Sequence, residues 1–217
     1  MDNNLFVLSQ NHSIANQFLS ELRDASLQKD RMRFRKNMER LGQILGYEVS
    51  KRLLYELKKV KTPLGESSIA VLKEYPLLIT ILRAGFPFLQ GFLNVFDHAD
   101  CGFIGAYRNE NAETITVNLE YLSVPSVDKK YIVLIDPMLA TGRSVLDALK
   151  VLLSKGTPAH VFIVSVVASP EGLQLLKENL TLPYSLWTCA VDEKLNSSFY
   201  IVPGLGDAGD LSYGIKH

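Results

Sequence analysis

The sequence is poor in cysteine, balanced in charge and free of long hydrophobic runs, and each absence excludes a class of protein. Its two cysteines, Cys101 and Cys189, are too few and too far apart for a disulfide framework or a metal site, so both are expected to be reduced core thiols. Lysine plus arginine and aspartate plus glutamate both number 23, so no global field attracts nucleic acid or an anionic membrane. The apolar runs fall well short of the roughly 20 residues that span a bilayer.

Neither a leader nor a domain boundary is visible in the sequence. The first ten residues, MDNNLFVLSQ, lack the basic segment and the long apolar stretch of a signal peptide, which favours a cytoplasmic protein without membrane contact. No repeat, low-complexity tract or Pro/Gly/Ser-rich linker divides the chain. Because 217 residues can bury one full core, we expect residues 1–217 to form a single domain.

Two helices are predicted in the N-terminal part of the chain, the first of them capped by Ser13. Apolar residues three or four positions apart indicate both helices: Ile14, Phe18, Leu22 and Ala25 in the first, and Phe34, Met38, Leu41, Leu45 and Val49 in the second. The basic segment KDRMRFRK (29–36) lies between these patterns. It could bind anions, but a solvated basic surface explains it better.

The sequence changes character at residue 76, where short apolar runs rich in β-branched and aromatic residues begin. They are PLLITIL (76–82), YIVLI (131–135), HVFIVSVVA (160–168) and SLWTCAV (185–191). Runs that are apolar at both alternations suit strands buried on both faces, as in parallel sheets. Helical patterns at 145–152 and 173–180 follow two of them. This order predicts an α/β fold, a doubly wound and mainly parallel sheet flanked by helices, whose ligands bind beyond the carboxyl ends of the strands.

Arginines follow two of the predicted strands at positions where a ligand would bind. Arg83 comes directly after PLLITIL and precedes two small residues, which would allow a ligand to approach the backbone closely. An ordinary turn with a surface arginine explains the tripeptide equally well. Arg108 follows CGFIGAY (101–107) in the same way. The segment from Arg108 to about Lys130 is long, polar and without a helical period, which is typical of lids and binding loops.

The stretch DPMLATGRS (136–144), directly after YIVLI, is predicted to bind phosphate. Asp136 could accept hydrogen bonds from sugar hydroxyls or hold a hydrated Mg²⁺. The residues that follow Thr141 lead into a helix predicted from Val145, and a helix N-terminus offers unpaired N–H groups and a partial positive charge. Alternatively, Ser144 only caps that helix. The stretch is not a Walker loop, because G-x-x-x-x-G-K-[ST] is absent.

The segment YIVPGLGDAGD (200–210) contains three glycines and two aspartates within its last seven residues. Such a backbone can fold tightly around a small planar ligand. It lacks the carboxylate spacing of a calcium-binding EF-hand loop. A flexible tail is the alternative, but the lead-in Ile201-Val202-Pro203 favours an ordered segment.

Taken together, these segments resemble the uracil phosphoribosyltransferases. ILRAG (81–85), GAYRNE (105–110), VLIDPMLATG (133–142) and YIVPGLGDAGD occur in that family's order and at nearly its spacing, over almost the whole chain. DPMLATG and PGLGDAGD are highly specific in combination. The resemblance implies a type I phosphoribosyltransferase fold with a small base-binding hood formed by the N-terminal helices and the C-terminal segment, in a homo-oligomer.

The resemblance also implies the reaction and the residues that perform it. Uracil and phosphoribosyl diphosphate (PRPP) would give uridine monophosphate (UMP) and diphosphate, with Mg²⁺ bound mainly through the PRPP diphosphate and water rather than by protein ligands. Arg83 and Arg108 would contact the diphosphate, Asp136 the ribose, and Thr141 to Ser144 the 5′-phosphate. The complete PRPP loop is implied to be Asp136, Pro137, Met138, Leu139, Ala140, Thr141, Gly142, Arg143 and Ser144. Uracil would be recognised, largely through backbone groups, by Ile201, Gly206, Asp207 and Ala208, and Asp207 would also lie near PRPP.

The chain departs from the family pattern near both expected ligands. Arg143 stands where the family usually has a second glycine, so it would be strained if the backbone there needed a positive φ, or it would point outward or reach the phosphate as an extra cation. The C-terminal end LSYGI (211–215) also differs. Two other functions stay open: a regulator of this fold that binds nucleotides or RNA, and a transferase for another nucleobase. The zero net charge makes nucleic acid a poor partner.

Overall fold

The computed structural model describes residues 4–108 and 117–215. Its helices are α1 (Ile14–Arg23), α2 (Arg31–Ser50), α3 (Gly85–Leu93), α4 (Arg143–Leu153), α5 (Pro170–Asn179) and α6 (Ala208–Tyr213), with a 3₁₀ turn at Leu8–Gln10. Its strands are β1 (Leu5–Val7), β2 (Tyr55–Thr62), β3 (Gly65–Leu72), β4 (Leu77–Leu82), β5 (Cys101–Arg108), β6 (Val117–Ser123), β7 (Tyr131–Ile135), β8 (Met138–Leu139), β9 (His160–Ala168), β10 (Tyr184–Val191), β11 (Lys194–Leu195) and β12 (Ile201–Val202).

The central sheet confirms the predicted fold class. Within the described residues it has eight strands in the order β1-β10-β9-β7-β4-β5-β6, with β8 paired to β9. Every pairing in it is parallel except the one between β5 and β6. The four apolar runs of the sequence are β4, β7, β9 and β10, which lie side by side in the middle of this sheet.

Alternate residues of the central strands enter two separate cores, one on each face of the sheet. Leu78 and Val133 pack in the core that contains α2 and α3, whereas Ile79 and Leu134 pack in the core that contains α4. The predicted apolar stripe of α2 is almost completely buried in the first core, and Ser13 caps α1 as predicted by accepting from the Ala15 amide. Helices on both faces explain why these strands are apolar at both alternations.

β4 and β7 are the neighbours at which the strand order reverses. After β4 the chain continues through α3 to β5 on one side, and after β7 it continues through α4 to β9 on the other. The register places Thr80 beside Ile135, and the Thr80 hydroxyl donates to the Ile135 carbonyl over 3.4 Å. In open α/β sheets the ligand crevice lies at such a switch point. Arg83 and Asp136 directly follow these two strands.

Four elements, β2, β3, α3 and β6, differ from the sequence predictions. Strands β2 and β3 form a separate antiparallel hairpin that sequence reasoning missed, and α3 begins two residues after Arg83, where no helix was predicted. The segment from Arg108 to Lys130, expected to be an unstructured loop, contains β6. Part of that segment, residues 109–116, lies outside the described residues. Hairpin residues are exposed on both faces, so no buried face produces an alternating pattern.

No helix within residues 4–108 or 117–215 has the length and apolarity that crossing a bilayer requires. Cys101 and Cys189 are free thiols, half-buried and buried respectively, as predicted.

A buried carboxylate joins α1 to α2. Glu21 is 8% exposed and accepts hydrogen bonds from Arg33 Nε at 2.8 Å, Asn37 Nδ2 at 2.7 Å and Gln17 Nε2 at 3.2 Å. The side-chain hydrogen bond from Arg33, followed by those from Asn37 and Gln17, lowers the pKa of Glu21 from its ordinary 4.5 to about 2.

This pKa shift predicts how stability depends on pH. A depressed carboxyl pKa contributes stability that is fully present above pH 4.5 and is lost as the pH falls towards 2. We therefore expect Glu21→Gln to flatten the dependence of the unfolding free energy on pH between about 4.5 and 2, measured by denaturant titration. The same exchange at the exposed Glu178 controls for the loss of one carboxyl. Equal slopes for Glu21→Gln and the wild type would contradict the prediction.

Candidate active site

The end of β4 presents Arg83 towards the C-terminal segment. Arg83 Nη2 donates to Asp210 Oδ1 at 3.0 Å and to the Gly214 carbonyl at 3.3 Å. Asp207 lies near Arg83 on the other side of Gly209: a Cβ at Gly209 would be 3.1 Å from Asp207 Oδ1 and 3.7 Å from Arg83 Nη2. The fold thus joins the residue expected to bind diphosphate to the segment expected to bind the base.

Gly85, two residues after Arg83, is a glycine for a different reason from the predicted close approach of a ligand. A Cβ at Gly85 would collide with the Thr80 hydroxyl and lie 3.2 Å from the Ile135 carbonyl. Gly85 is therefore explained by the approach of α3 to β4 and β7, without any ligand.

The stretch 136–144 turns back on the sheet before it enters α4. Asp136 Oδ1 accepts from the Met138 amide at 3.3 Å, and the Pro137 carbonyl accepts from the amides of Val166 and Val167. Residues 138–139 then form β8 beside the end of β9. The Ser169 hydroxyl donates to the Ala140 carbonyl at 2.6 Å, and Ser169 also caps α5. Backbone bonds and a side-chain cap thus fix the loop before any ligand binds.

Gly142, rather than Arg143, adopts the left-handed backbone conformation at the start of α4. Its φ is 76°, and a Cβ there would lie 3.0 Å from the Gly172 carbonyl. Arg143 is the first helical residue, so its backbone does not have the positive φ that would have strained it. Its side chain is exposed. The helix begins two residues earlier than predicted, and its N-cap is Gly142, so capping by Ser144 was wrong. The Arg143 amide donates to Thr141 Oγ1 at 3.4 Å, and the first turn of a helix contains further amides without intrahelical acceptors.

The C-terminal segment is ordered, which excludes a flexible tail. Ile201 is buried in β12 and pairs with Leu195, and the chain then turns through Gly204 and Gly206, whose φ angles are 59° and 88°. Asp207 caps α6 by accepting from the Asp210 amide at 2.9 Å. Gly206 and Asp207 are exposed, whereas the neighbouring Ala208 is buried. The exposed residues form a short polar edge, as base recognition would require.

An ion pair that sequence reasoning missed anchors this segment. Asp192 accepts from Arg23 Nη2 at 2.6 Å, from Arg23 Nη1 at 2.9 Å and from the Gly204 amide at 2.8 Å. Arg23 Nη1 also donates to the Gly204 carbonyl at 3.0 Å. A Cβ at Gly204 would collide with the Ile201 carbonyl. The contacts join α1, the end of β10 and the C-terminal turn, residues too distant in sequence to give a local signal.

The structure places some of the predicted residues together and leaves one outside its description. Arg83 and Asp207 lie beside Gly209, and Asp136 follows the strand next to that of Arg83. Arg108 ends β5, but its side chain is not among those described. Within the described part of the chain, no three His, Cys, Asp or Glu side chains are grouped closely enough to hold a metal ion.

Neither cysteine is suited to act as a nucleophile. Burial raises the pKa of the Cys189 thiol, and burial together with the Asp100 carboxylate raises that of Cys101. Both thiols therefore stay protonated at neutral pH.

The basic segment 29–36 is less free than predicted. Arg33 pairs with Glu21, and Arg35 Nη1 donates to the Ser212 carbonyl at 2.7 Å. Two of its arginines thus hold parts of the same molecule together, so the segment is only partly the solvated basic surface that was predicted.

A cavity of about 430 Å³ lies at the amino ends of the strands, on the edge opposite to the predicted site. Tyr131, His160 and Ser185, from the first residues of β7, β9 and β10, line it together with the exposed Arg52. Its Phe162 and Trp187 rings are at most 5% exposed, so they present little free surface. The cavity is therefore distinct from the site formed by Arg83 and Asp207.

Comparisons with known proteins agree on one family. The model of the family described as uracil phosphoribosyltransferase matches residues 8–215. The uracil phosphoribosyltransferase of Porphyromonas gingivalis strain W83 is 43% identical over 210 residues, which cover 96% of this chain and 97% of that protein. The solved AQ2163 protein from Aquifex aeolicus has a TM-score of 0.87 and 36% identity, covering 97% and 98% of the two chains.

A more distant structure supports the fold alone. A hypoxanthine phosphoribosyltransferase from Staphylococcus aureus has a TM-score of 0.50 and 15% identity over 74% of this chain and 76% of that one.

Proposed function

The chain belongs to the uracil phosphoribosyltransferase family, and from that premise we propose how its residues perform the family's reaction in pyrimidine salvage. It is a glycosyltransferase-type enzyme that transfers the phosphoribosyl group from PRPP to uracil and releases UMP and diphosphate. The observation that most supports this assignment is the meeting of Arg83, at the switch point of the sheet, with the segment that contains Asp207.

Charge neutralisation at the leaving group is the main demand of this reaction. Diphosphate departs from C1 of the ribose through an oxocarbenium-like state, so negative charge grows on the diphosphate as the bond breaks. Arg83 and Arg108 are proposed to stabilise it, because guanidinium groups bind such oxygens through paired, charge-assisted hydrogen bonds. Mg²⁺ bound to the diphosphate would supply further neutralisation.

The described residues suit an ion that arrives with its substrate. Among them no three His, Cys, Asp or Glu side chains are grouped to hold a metal ion. The acidic groups that the family resemblance places at the substrate are the carboxylates of Asp136 and Asp207. Mg²⁺ keeps several waters and commonly binds through one or two carboxylates plus substrate phosphates. We therefore propose that diphosphate oxygens and water supply most of its ligands.

The 5′-phosphate is proposed to sit against Thr141 to Ser144, where the amides of the first turn of α4 and the side-chain hydroxyls supply donors. The loop of residues 136–144 would then hold PRPP at both ends of its ribose, with Asp136 accepting from the sugar hydroxyls. Uracil would pair with backbone groups of Ile201, Gly206 and Ala208, with Asp207 between the base and PRPP. The polar exposed edge at Gly206 and Asp207 supports this placement.

Steady-state assay of the purified protein with uracil, PRPP and Mg²⁺ tests the function. UMP and diphosphate should form in equal amounts, and uracil should be preferred over cytosine, hypoxanthine and guanine in competition. No UMP at any PRPP concentration would refute the proposal. Preference for another base would refute the assignment of uracil alone.

Arg143 is proposed to act as an additional cation for the 5′-phosphate, because its exposed side chain begins at the first residue of α4. Arg143→Gln should raise KM for PRPP by about two- to five-fold at low salt, with little change in kcat, since exposed charges contribute modestly. The increase should diminish at high salt, where the interaction is screened. Arg143→Lys should retain most of the affinity. The same exchange at Lys150, in the last turn of α4, is the control; equal effects of the two Gln variants would contradict the role.

We propose that residues 1–217 act as one domain in which α1, α2 and the C-terminal segment form the hood. The Arg23–Asp192 pair and the Arg35–Ser212 bond, which connect these parts, support this arrangement. A cytoplasmic location is also proposed, in agreement with two free cysteines, and cell fractionation would test it.

A homo-oligomer is supported by the β2–β3 hairpin. Tyr55 and Leu57 share one face of it and are 46% and 80% exposed, and exposed apolar groups that lie together mark interaction surfaces. Light scattering of the purified protein should give a mass of at least twice 24.2 kDa. A monomer at assay concentration would contradict this part of the proposal.

A further inference from the structure

The guanidinium of Arg83 is already occupied by the chain itself. Its Nη2 donates to Asp210 Oδ1 at 3.0 Å and to the Gly214 carbonyl at 3.3 Å, while Nε is buried without a partner among the described atoms. A guanidinium binds a phosphate with two parallel donors, either along its Nη1–Nη2 edge or along its Nε–Nη2 edge. Nη2 belongs to both edges. With its hydrogens directed at Asp210 and Gly214, neither edge can grip a diphosphate.

We infer that Asp210 competes with the substrate's diphosphate for Arg83 and thereby sets how tightly the site holds diphosphate groups. The inference rests on the proposed role of Arg83. In the absence of substrate, Asp210 is the counter-ion of Arg83. When PRPP binds, its diphosphate takes the two-donor edge and Asp210 returns to water. After the reaction, Asp210 pairs with Arg83 again and thereby assists the release of diphosphate.

The exposure of the pair allows this exchange. The side chains of Arg83 and Asp210 are 36% and 33% exposed, so each can regain water when the pair separates. Ion pairs at such positions contribute little to stability, in contrast to fully buried ones. A diphosphate carries more negative charge than one carboxylate and can use two donors at once, so it wins the competition. The apparent affinity for diphosphate is therefore the intrinsic affinity multiplied by the fraction of molecules in which the Arg83–Asp210 pair is open.

Calorimetric titration of the full-length protein with inorganic diphosphate and Mg²⁺ tests the competition. Asp210→Asn, which keeps the shape of the side chain and removes its charge, should bind diphosphate about two- to five-fold tighter than the wild type. Asp210→Ser should change the affinity in the same direction. Arg83→Gln should bind at least about ten-fold more weakly, since it loses a charged donor pair. In the Arg83→Gln background, Asp210→Asn should have no further effect.

The double variant separates the competition from a general field effect. If Asp210→Asn tightens binding equally with and without Arg83, the carboxylate acts on the ligand directly and the inference is overturned. If Asp210→Asn and Arg83→Gln both weaken the binding of diphosphate, Asp210 orients Arg83 instead of competing for it. The inference then fails, whereas the proposed role of Arg83 stands. If Arg83→Gln binds diphosphate and forms UMP like the wild type, the assigned role of Arg83 is wrong. Circular dichroism melts confirm that each variant is folded.

Discussion

Replacing Gly142 by alanine is expected to lower kcat/KM for PRPP by about 10²-fold. Gly142 has a φ of 76°, which costs an L-residue about 1–2 kcal/mol, and the new Cβ would lie 3.0 Å from the Gly172 carbonyl. The turn must therefore shift, and the amides at the start of α4 shift with it. Loss of one hydrogen bond to a charged phosphate, about 1.5–3 kcal/mol, accounts for this magnitude.

Gly156 provides a matched control for the strain itself. Its φ is 145°, and a Cβ there would lie 2.8 Å from the Asp128 amide nitrogen. Gly156 joins α4 to β9 at the amino edge of the sheet, away from the proposed site. Gly156→Ala should lower stability but keep kcat/KM within about two-fold, because the proposed phosphate loop is untouched. If both variants lost activity in proportion to their stability, the phosphate role of the Gly142 turn would be wrong.

Removal of the Asp192 carboxylate should produce the largest loss of stability. Asp192→Ala is expected to lower the unfolding free energy by about 3–5 kcal/mol, because Arg23 would lose its partner inside the protein. The two side chains are 23% and 5% exposed, and the Gly204 amide would lose its acceptor as well. KM for uracil should also rise, since the segment that follows Gly204 would lose its anchor.

Denaturant titration at one fixed protein concentration measures this effect. Asp147→Ala is the control, because Asp147 pairs with the exposed Lys150 one turn along α4, and its loss should change stability by no more than about 0.5 kcal/mol. The double variant Arg23→Met with Asp192→Leu should recover part of the loss, since no charge is left unpaired. A loss for Asp192→Ala no larger than that of Asp147→Ala would show that the ion pair does not hold the hood.

The central sheet was predictable, and the proposed phosphate loop was recognisable as a motif, because their signals are local. A strand covered on both faces is apolar at every position, and β4, β7, β9 and β10 were all recognised in this way. Likewise, the apolar stripe of α2 follows from its 3.6-residue period. The assignments within 136–144 and 201–208 came from motifs whose residues are neighbours in sequence. The hairpin β2–β3 was missed because neither of its faces is buried, so its composition shows no period.

The sequence by itself determined the four central strands β4, β7, β9 and β10 and the helices α1, α2, α4 and α5, and it indicated the segments proposed to bind phosphate and a base. Only the tertiary structure decided that Arg23 pairs with Asp192, that Gly142 rather than Arg143 takes the left-handed conformation, and that Arg83 is held by Asp210. The physical reason is distance along the chain. Periodicity and capping depend on residues within a turn or two, whereas an ion pair between distant residues depends on where the whole fold brings their side chains.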